Sequence, residues 1–279
     1  MIRDIKFVSF LLILTNTTFL FGCNKSIMFE ISELQVKENN KNIYGLITKP
    51  KNGKDRNPLL ICSHGFNGNE QIFEDLTNEI VQKGFNIYRY HFCGGATTSK
   101  SSGDTKEMSI MTEKDDLNLV IDNAKTWDFV DSSKIYLLGE SQGGIVTSIV
   151  SNHRNDIAGT ILWYPAFNIP ATARNYSTLE SIPETINVYG FTIGKKYYQD
   201  IYNYYPYEDM GNINHKVLIV HGTKDLVVPL SVSEEAKKYY KNCEILTVDN
   251  ANHCFYDKIF KYNKTFMGEA VKKTLTYFD

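Results

Sequence analysis

Apolar residues in this chain fall mostly in short runs, and the runs alternate with amphipathic stretches. Leu59–Ser63, Phe85–Tyr90, Lys134–Leu138, Ile157–Trp163, Lys216–Val220 and Glu244–Val248 are short and apolar, as buried strands are. Between them, Ile72–Val81, Thr112–Val130, Gln142–Asn152, Val232–Tyr240 and Tyr256–Phe278 carry apolar residues at helical intervals. In the second of these, Leu117, Val120, Ile121, Ala124 and Trp127 share a face, and Thr112 is placed to cap the start, with Asp115 third after it. Ile27–Val36 and Ile43–Thr48 read as a hairpin that opens the domain. Strand and helix in alternation predict a mostly parallel sheet covered by helices on both faces, with right-handed crossovers. The beat breaks between Phe167 and Asn214, a stretch too long for an ordinary loop and rich in tyrosine. It is expected to be a small inserted cap within one domain that spans 27–279.

The first residues have a different pattern. Arg3 and Lys6 precede an apolar run from Phe7 to Phe21, which is shorter than the ~20 residues a membrane span needs. A positive start, a short apolar core and a small residue before the break describe a secretory signal. The stretch Leu20-Phe21-Gly22-Cys23 resembles a bacterial lipobox, with Phe21 bulkier than usual. The expectation is a signal of lipoprotein type over residues 1–22, lipid on Cys23, and a short tether over 23–26. The domain would then be exported and held at a cell-envelope membrane; a plain signal peptide would instead leave it periplasmic or secreted.

Net charge is −2, so bulk electrostatics do not favour nucleic acid as a partner. Cys62, Cys93, Cys243 and Cys254 form neither a Cys-x-x-Cys pair nor zinc-site spacing, and are read as small buried residues. No metal or organic cofactor is expected.

Three strand ends carry the chemistry. The run Leu137-Leu138-Gly139-Glu140-Ser141-Gln142-Gly143-Gly144 sets Ser141 between glycines two residues away on each side, at a junction of strand and helix. Such a turn pushes a serine hydroxyl out at the carboxyl end of a strand. Asp225 lies in the loop after the Lys216–Val220 strand, and His253 lies in the loop after Glu244–Val248. Ser141, Asp225 and His253 thus occur in the chain order of an alpha/beta-hydrolase triad. Asp249 is the weaker rival for the acid. Backbone N–H groups of Phe66, in the loop after the Leu59–Ser63 strand, and of Gln142 are candidates for the oxyanion hole. His64 reads as a residue that orders that loop rather than as a base. Glu140 is not expected to act as an acid.

Five segments carry a resemblance: "HGFNGN" at 64–69, Met111-Thr112 with Glu113 and Asp116, "GESQGG" at 139–144, "HGTKDLVV" at 221–228 and "ANHCF" at 251–255. With them the chain resembles the alpha/beta-hydrolase superfamily, and within it bacterial cinnamoyl/feruloyl esterases. The resemblance implies an alpha/beta-hydrolase fold, with 167–214 as a lid that shapes the acyl pocket. It departs at Glu140, where that family commonly has His, and at His91, where an Asp is usual. The reaction implied is serine carboxylic-ester hydrolysis through an acyl-enzyme, on hydroxycinnamoyl or other small acyl esters, free or linked to polysaccharide. Two alternatives stay open: a serine peptidase of the acyl-aminoacyl or dipeptidyl type, and a noncatalytic binding protein on a hydrolase scaffold.

Overall fold

The computed structural model describes residues 27–208 and 210–279. The expected signal segment, Cys23 and the whole 23–26 tether lie outside the described residues. Eight strands form one sheet: β1 (Phe29–Glu33), β2 (Gly45–Pro50), β3 (Asn57–Ser63), β4 (Asn86–Tyr90), β5 (Val130–Glu140), β6 (Gly159–Trp163), β7 (Val217–Gly222) and β8 (Cys243–Val248). Their spatial order is β1-β2-β4-β3-β5-β6-β7-β8. The β1–β2 and β2–β4 pairs are antiparallel, and every later pair is parallel.

Alternation along each parallel strand builds two cores. Leu59, Ile61, Leu137 and Ile219 point to one face, where they meet α2 (Ile110–Ala124), α3 (Ser141–Asn152) and α4 (Leu230–Lys237). Leu60, Cys62, Leu138 and Val220 point to the other face, against α1 (Glu74–Gln82) and α5 (Lys264–Leu275). Both faces of the parallel strands are therefore buried, which is why those strands read as continuous apolar runs. This is the α/β architecture that the alternating pattern predicts.

Several boundaries differ from expectation, and three of them change how the helices are read. α2 starts at Ile110 and is capped by Ser109, whose Oγ accepts from Thr112 N; Thr112 returns the bond by accepting from Ser109 N, which closes a capping box. Thr112 is thus the third helical residue and not the cap. The helix also ends at Ala124, because β5 has already begun at Val130. The closing helix starts at Lys264 rather than Tyr256. Asn263 caps it by accepting from Thr265 N and Phe266 N, and upstream Asp257 Oδ1 gathers Ile259 N and Lys261 N into a turn. At the start of the domain, β1 and β2 do pair, but a second short ribbon, Val36–Glu38 with Lys41–Ile43, lies between them.

Residues 167–214 leave the sheet after β6 and return at β7. They hold a short helix (Ile169–Ala173), a two-stranded ribbon (Thr185–Val188 with Phe191–Gly194) and a helical turn (Lys196–Gln199). Phe191, Ile193, Tyr197 and Ile201 pack into the same core as α2 and α3, so the insert is seated on the body. Ser109 Oγ also donates to Asp200 Oδ2 at 2.6 Å, which ties the α2 cap to the insert.

The chain enters at the far pole of the sheet. Phe29 is paired with Pro50, Lys51 N donates to Met28 O, and Ile27 N donates to Gln82 Oε1 at the end of α1. That pole holds the amino ends of the parallel strands.

Ser109 serves two partners, so its loss is expected to exceed that of a cap alone. Ser109→Ala should lower unfolding free energy by about 1–2 kcal/mol, read by urea denaturation. An unchanged midpoint would show that neither bond matters to stability.

Candidate active site

Glu140 ends β5 in extended conformation, and Ser141 turns sharply into α3 with φ +51°. That left-handed value is costly for a residue with a side chain and persists only where the surroundings enforce it. Close packing enforces it here. A Cβ on Gly139 would lie 2.1 Å from Gly143 O, and one on Gly143 would lie 2.2 Å from Ser63 O. The two glycines of the motif let the turn press against β3 and back onto itself.

Ser141 Oγ lies 3.0 Å from His253 Nε2. His253 Nδ1 lies 2.7 Å from Asp225 Oδ2, and the other carboxylate oxygen accepts from Val227 N and Val228 N. Burial works against the charge on Asp225. Hydrogen bonds from His221 and His253, and from Val228 N, outweigh it and hold the carboxyl well below the usual carboxylate range. A carboxylate so held keeps the His253 proton on Nδ1 and leaves Nε2 a free base toward the serine. Asp249 is exposed after β8 and is not the acid bonded to His253.

Ser141 opens onto two connected hollows. One, of about 540 Å³, is lined by Gly65, Phe66, Glu140, His253, Tyr256 and Tyr262 among others. The other, of about 240 Å³, is bounded by Phe66, Gln142, Ile169, Tyr197 and Tyr198, and so lies against the insert. Phe66, Ser141, Tyr189 and Val227 belong to both. Both candidate oxyanion residues, Phe66 and Gln142, thus border the space in front of Ser141. Among the described residues no group of three or more His, Cys, Asp or Glu could hold a metal ion.

His64 is fully buried. Its Nδ1 donates to Gly65 O at 2.7 Å, and its Nε2 accepts from Phe92 N at 3.1 Å, which fixes one neutral tautomer. His91 is occupied in the same way: Nδ1 accepts from Lys100 N at 3.1 Å and Nε2 donates to the Glu70 carboxylate. It anchors the loop after β4. The four described cysteines are free; Cys62 is fully buried and the others partly so.

Several site residues were not legible in advance. The Gln142 side chain is held from two sides: Tyr197 OH donates to Oε1 at 2.5 Å, and Nε2 donates to Glu113 Oε2 at 2.8 Å. Burial pushes the Glu113 carboxyl far up, toward its neutral form. Tyr164, in left-handed conformation just after β6, sets its ring edge-on to His253 at 4.7 Å. The only advance signals were that Glu113 lies in the Met111–Asp116 stretch and that Tyr164 directly follows an apolar strand.

Burial lowers His64 from its ordinary 6.5 to about 4. The folded state therefore refuses a proton that the unfolded chain takes up near 6.5. Stability from this residue is complete above about 6.5 and is lost as pH falls toward about 4, by at most about 3 kcal/mol. Urea unfolding from about pH 7 to about pH 4.5 should therefore fall more steeply for wild type than for His64→Gln. Parallel slopes would rule out this linkage.

Residues 73–278 match the prolyl oligopeptidase family. Among solved structures, Est1E from Butyrivibrio proteoclasticus with ferulic acid bound is 27% identical, with TM-score 0.76 over 88% of this chain and 98% of that one. A second Est1E structure is 26% identical with TM-score 0.73 over the same shares. Acetyl xylan esterase 1 from Thermoanaerobacterium sp. JW/SL YS485 is 15% identical, with TM-score 0.61 over 91% of this chain and 89% of that one; this likeness is of fold alone. The comparison with curated proteins finds no match. With its mostly parallel sheet and these likenesses, the chain is an alpha/beta-hydrolase and belongs to the prolyl oligopeptidase family.

Proposed function

We propose that this hydrolase is a serine carboxylic-ester hydrolase that works through an acyl-enzyme, on hydroxycinnamoyl or other small acyl esters. The observation that carries the reading is the hydrogen-bonded chain Ser141 Oγ–His253–Asp225, with Nε2 at 3.0 Å from the hydroxyl. His253 takes the serine proton as Oγ attacks the ester carbonyl. The backbone N–H groups of Phe66 and Gln142 receive the negative charge that develops on the carbonyl oxygen. Imidazolium then protonates the departing alkoxide, and a water deprotonated by His253 releases the acid. The insert acts as a lid. Phe66, Tyr197 and Tyr198 give the smaller hollow aromatic walls suited to a flat acyl ring, and the larger hollow takes the alcohol. The likeness to a structure of Est1E with ferulic acid bound supports this acyl class.

A peptidase is the second reading, favoured by the family that the chain matches. The same triad would serve it. Purified domain should hydrolyse p-nitrophenyl esters and methyl ferulate, and Ser141→Ala should lower kcat by at least about 10⁴-fold. Turnover of aminoacyl-nitroanilides without turnover of any ester would replace the esterase reading with the peptidase one. Absence of both would favour the binding-protein reading.

For location, we propose export with lipid on Cys23, from the lipobox-like Leu20–Cys23. Intact mass of protein extracted from membranes should show an acylated chain that begins at residue 23. An unmodified N-terminus would exclude the anchor.

A further inference from the structure

Glu140 immediately precedes Ser141, and it is 5% exposed beside the serine. A carboxyl in that position loses its hydration, and burial raises its pKa. Its side chain is engaged all the same. Glu140 Oε1 accepts a hydrogen bond from Gly65 N. The carboxyl also lies against Gly65 Cα: a Cβ on Gly65 would stand 2.7 Å from Oε1 and 3.0 Å from Cδ and Oε2. A methyl group on Gly65 would have to push this carboxyl aside.

Gly65 immediately precedes Phe66. In a trans peptide the carbonyl and the following N–H point in opposite directions, so whatever holds Gly65 O aims Phe66 N–H. Gly68 N at 3.0 Å and His64 Nδ1 at 2.7 Å hold that oxygen. Those bonds secure one side of Gly65, and Glu140 secures the other. Without the acid, a glycine with wide backbone freedom would be pinned on one side only. The same residue carries Ser141 on its own backbone and, through its side chain, the loop that faces Ser141.

The geometry points to Glu140 as the positioning residue of the oxyanion hole: its buried carboxyl oxygen locks Gly65 and so holds the Phe66 N–H at a fixed place relative to Ser141 Oγ. This role presupposes the serine chemistry proposed above. The essential feature is the acceptor oxygen and not the charge. A glutamine of the same shape keeps that acceptor, whereas methionine fills similar space without it.

The test compares wild type, Glu140→Gln, Glu140→Met and Ser141→Ala on p-nitrophenyl butyrate, with folding checked by circular dichroism. Glu140→Met should lower kcat by roughly 10- to 100-fold, with KM within about threefold. It should weaken an aryl boronic acid inhibitor, which mimics the oxyanion, by a similar factor. Glu140→Gln should recover most of the lost kcat and inhibitor affinity. Wild-type kcat in Glu140→Met, or Glu140→Gln as slow as Glu140→Met, would overturn the role while Ser141→Ala remained inactive. Full activity of Ser141→Ala would instead sink the serine reading itself. Should Glu140→Met not fold, Gly65→Ala drives a methyl against the carboxyl, and an unaltered kcat there would overturn the role equally.

Discussion

The constraint on which the site depends is the bare-backbone contact of the turn at Ser141. Gly139 touches Gly143 O, and Gly143 touches the end of β3 at Ser63 O, at distances that leave no room for a methyl group. Because β5, α3 and β3 meet so closely, the serine must take a left-handed conformation and its hydroxyl must face outward. The same closeness brings the loop after β3 within reach of the Glu140 side chain. Enlarging either glycine would separate three elements at once, which is why a strained residue can persist here.

The histidines sort themselves by what their ring nitrogens already hold. His64 spends both nitrogens on backbone groups, and His91 on Lys100 N and Glu70. His221 has Nδ1 bonded to Ser233 Oγ and Nε2 to Val228 O, with Asp225 also within 3.4 Å. His253 alone among these four directs a ring nitrogen at Ser141. The other three have both ring nitrogens engaged with groups away from Ser141 and brace the loops around it.

Much of this was legible in the chain because each part obeys a local rule. The strands read as apolar runs since both sheet faces are covered. Ser141, Asp225 and His253 could be picked out because each lies at or just past the end of such a run, and parallel strands bring those ends to one edge. The misread features are those where two local rules compete. Thr112 can cap a helix as well as answer one, and only the bond from its own N–H to Ser109 decides. Tyr256–Tyr262 is apolar enough to extend α5, yet Asp257 and Asn263 draw the backbone into a turn and a cap. Links such as Glu140 to Gly65, or Tyr197 to Gln142, join residues far apart in the chain. No periodicity encodes them.

The entry point of the chain sets how the molecule can be moored. Ile27 leaves the fold beside the end of α1, at the amino ends of the parallel strands, whereas Ser141, Asp225 and His253 lie at the carboxyl ends. Only residues 24–26 separate Cys23 from that point, a reach of roughly 10–14 Å when extended. A lipid on Cys23 would therefore place the amino ends of the parallel strands toward the membrane and their carboxyl ends toward the surrounding medium. With the domain moored in this way, Ser141 would face away from the bilayer.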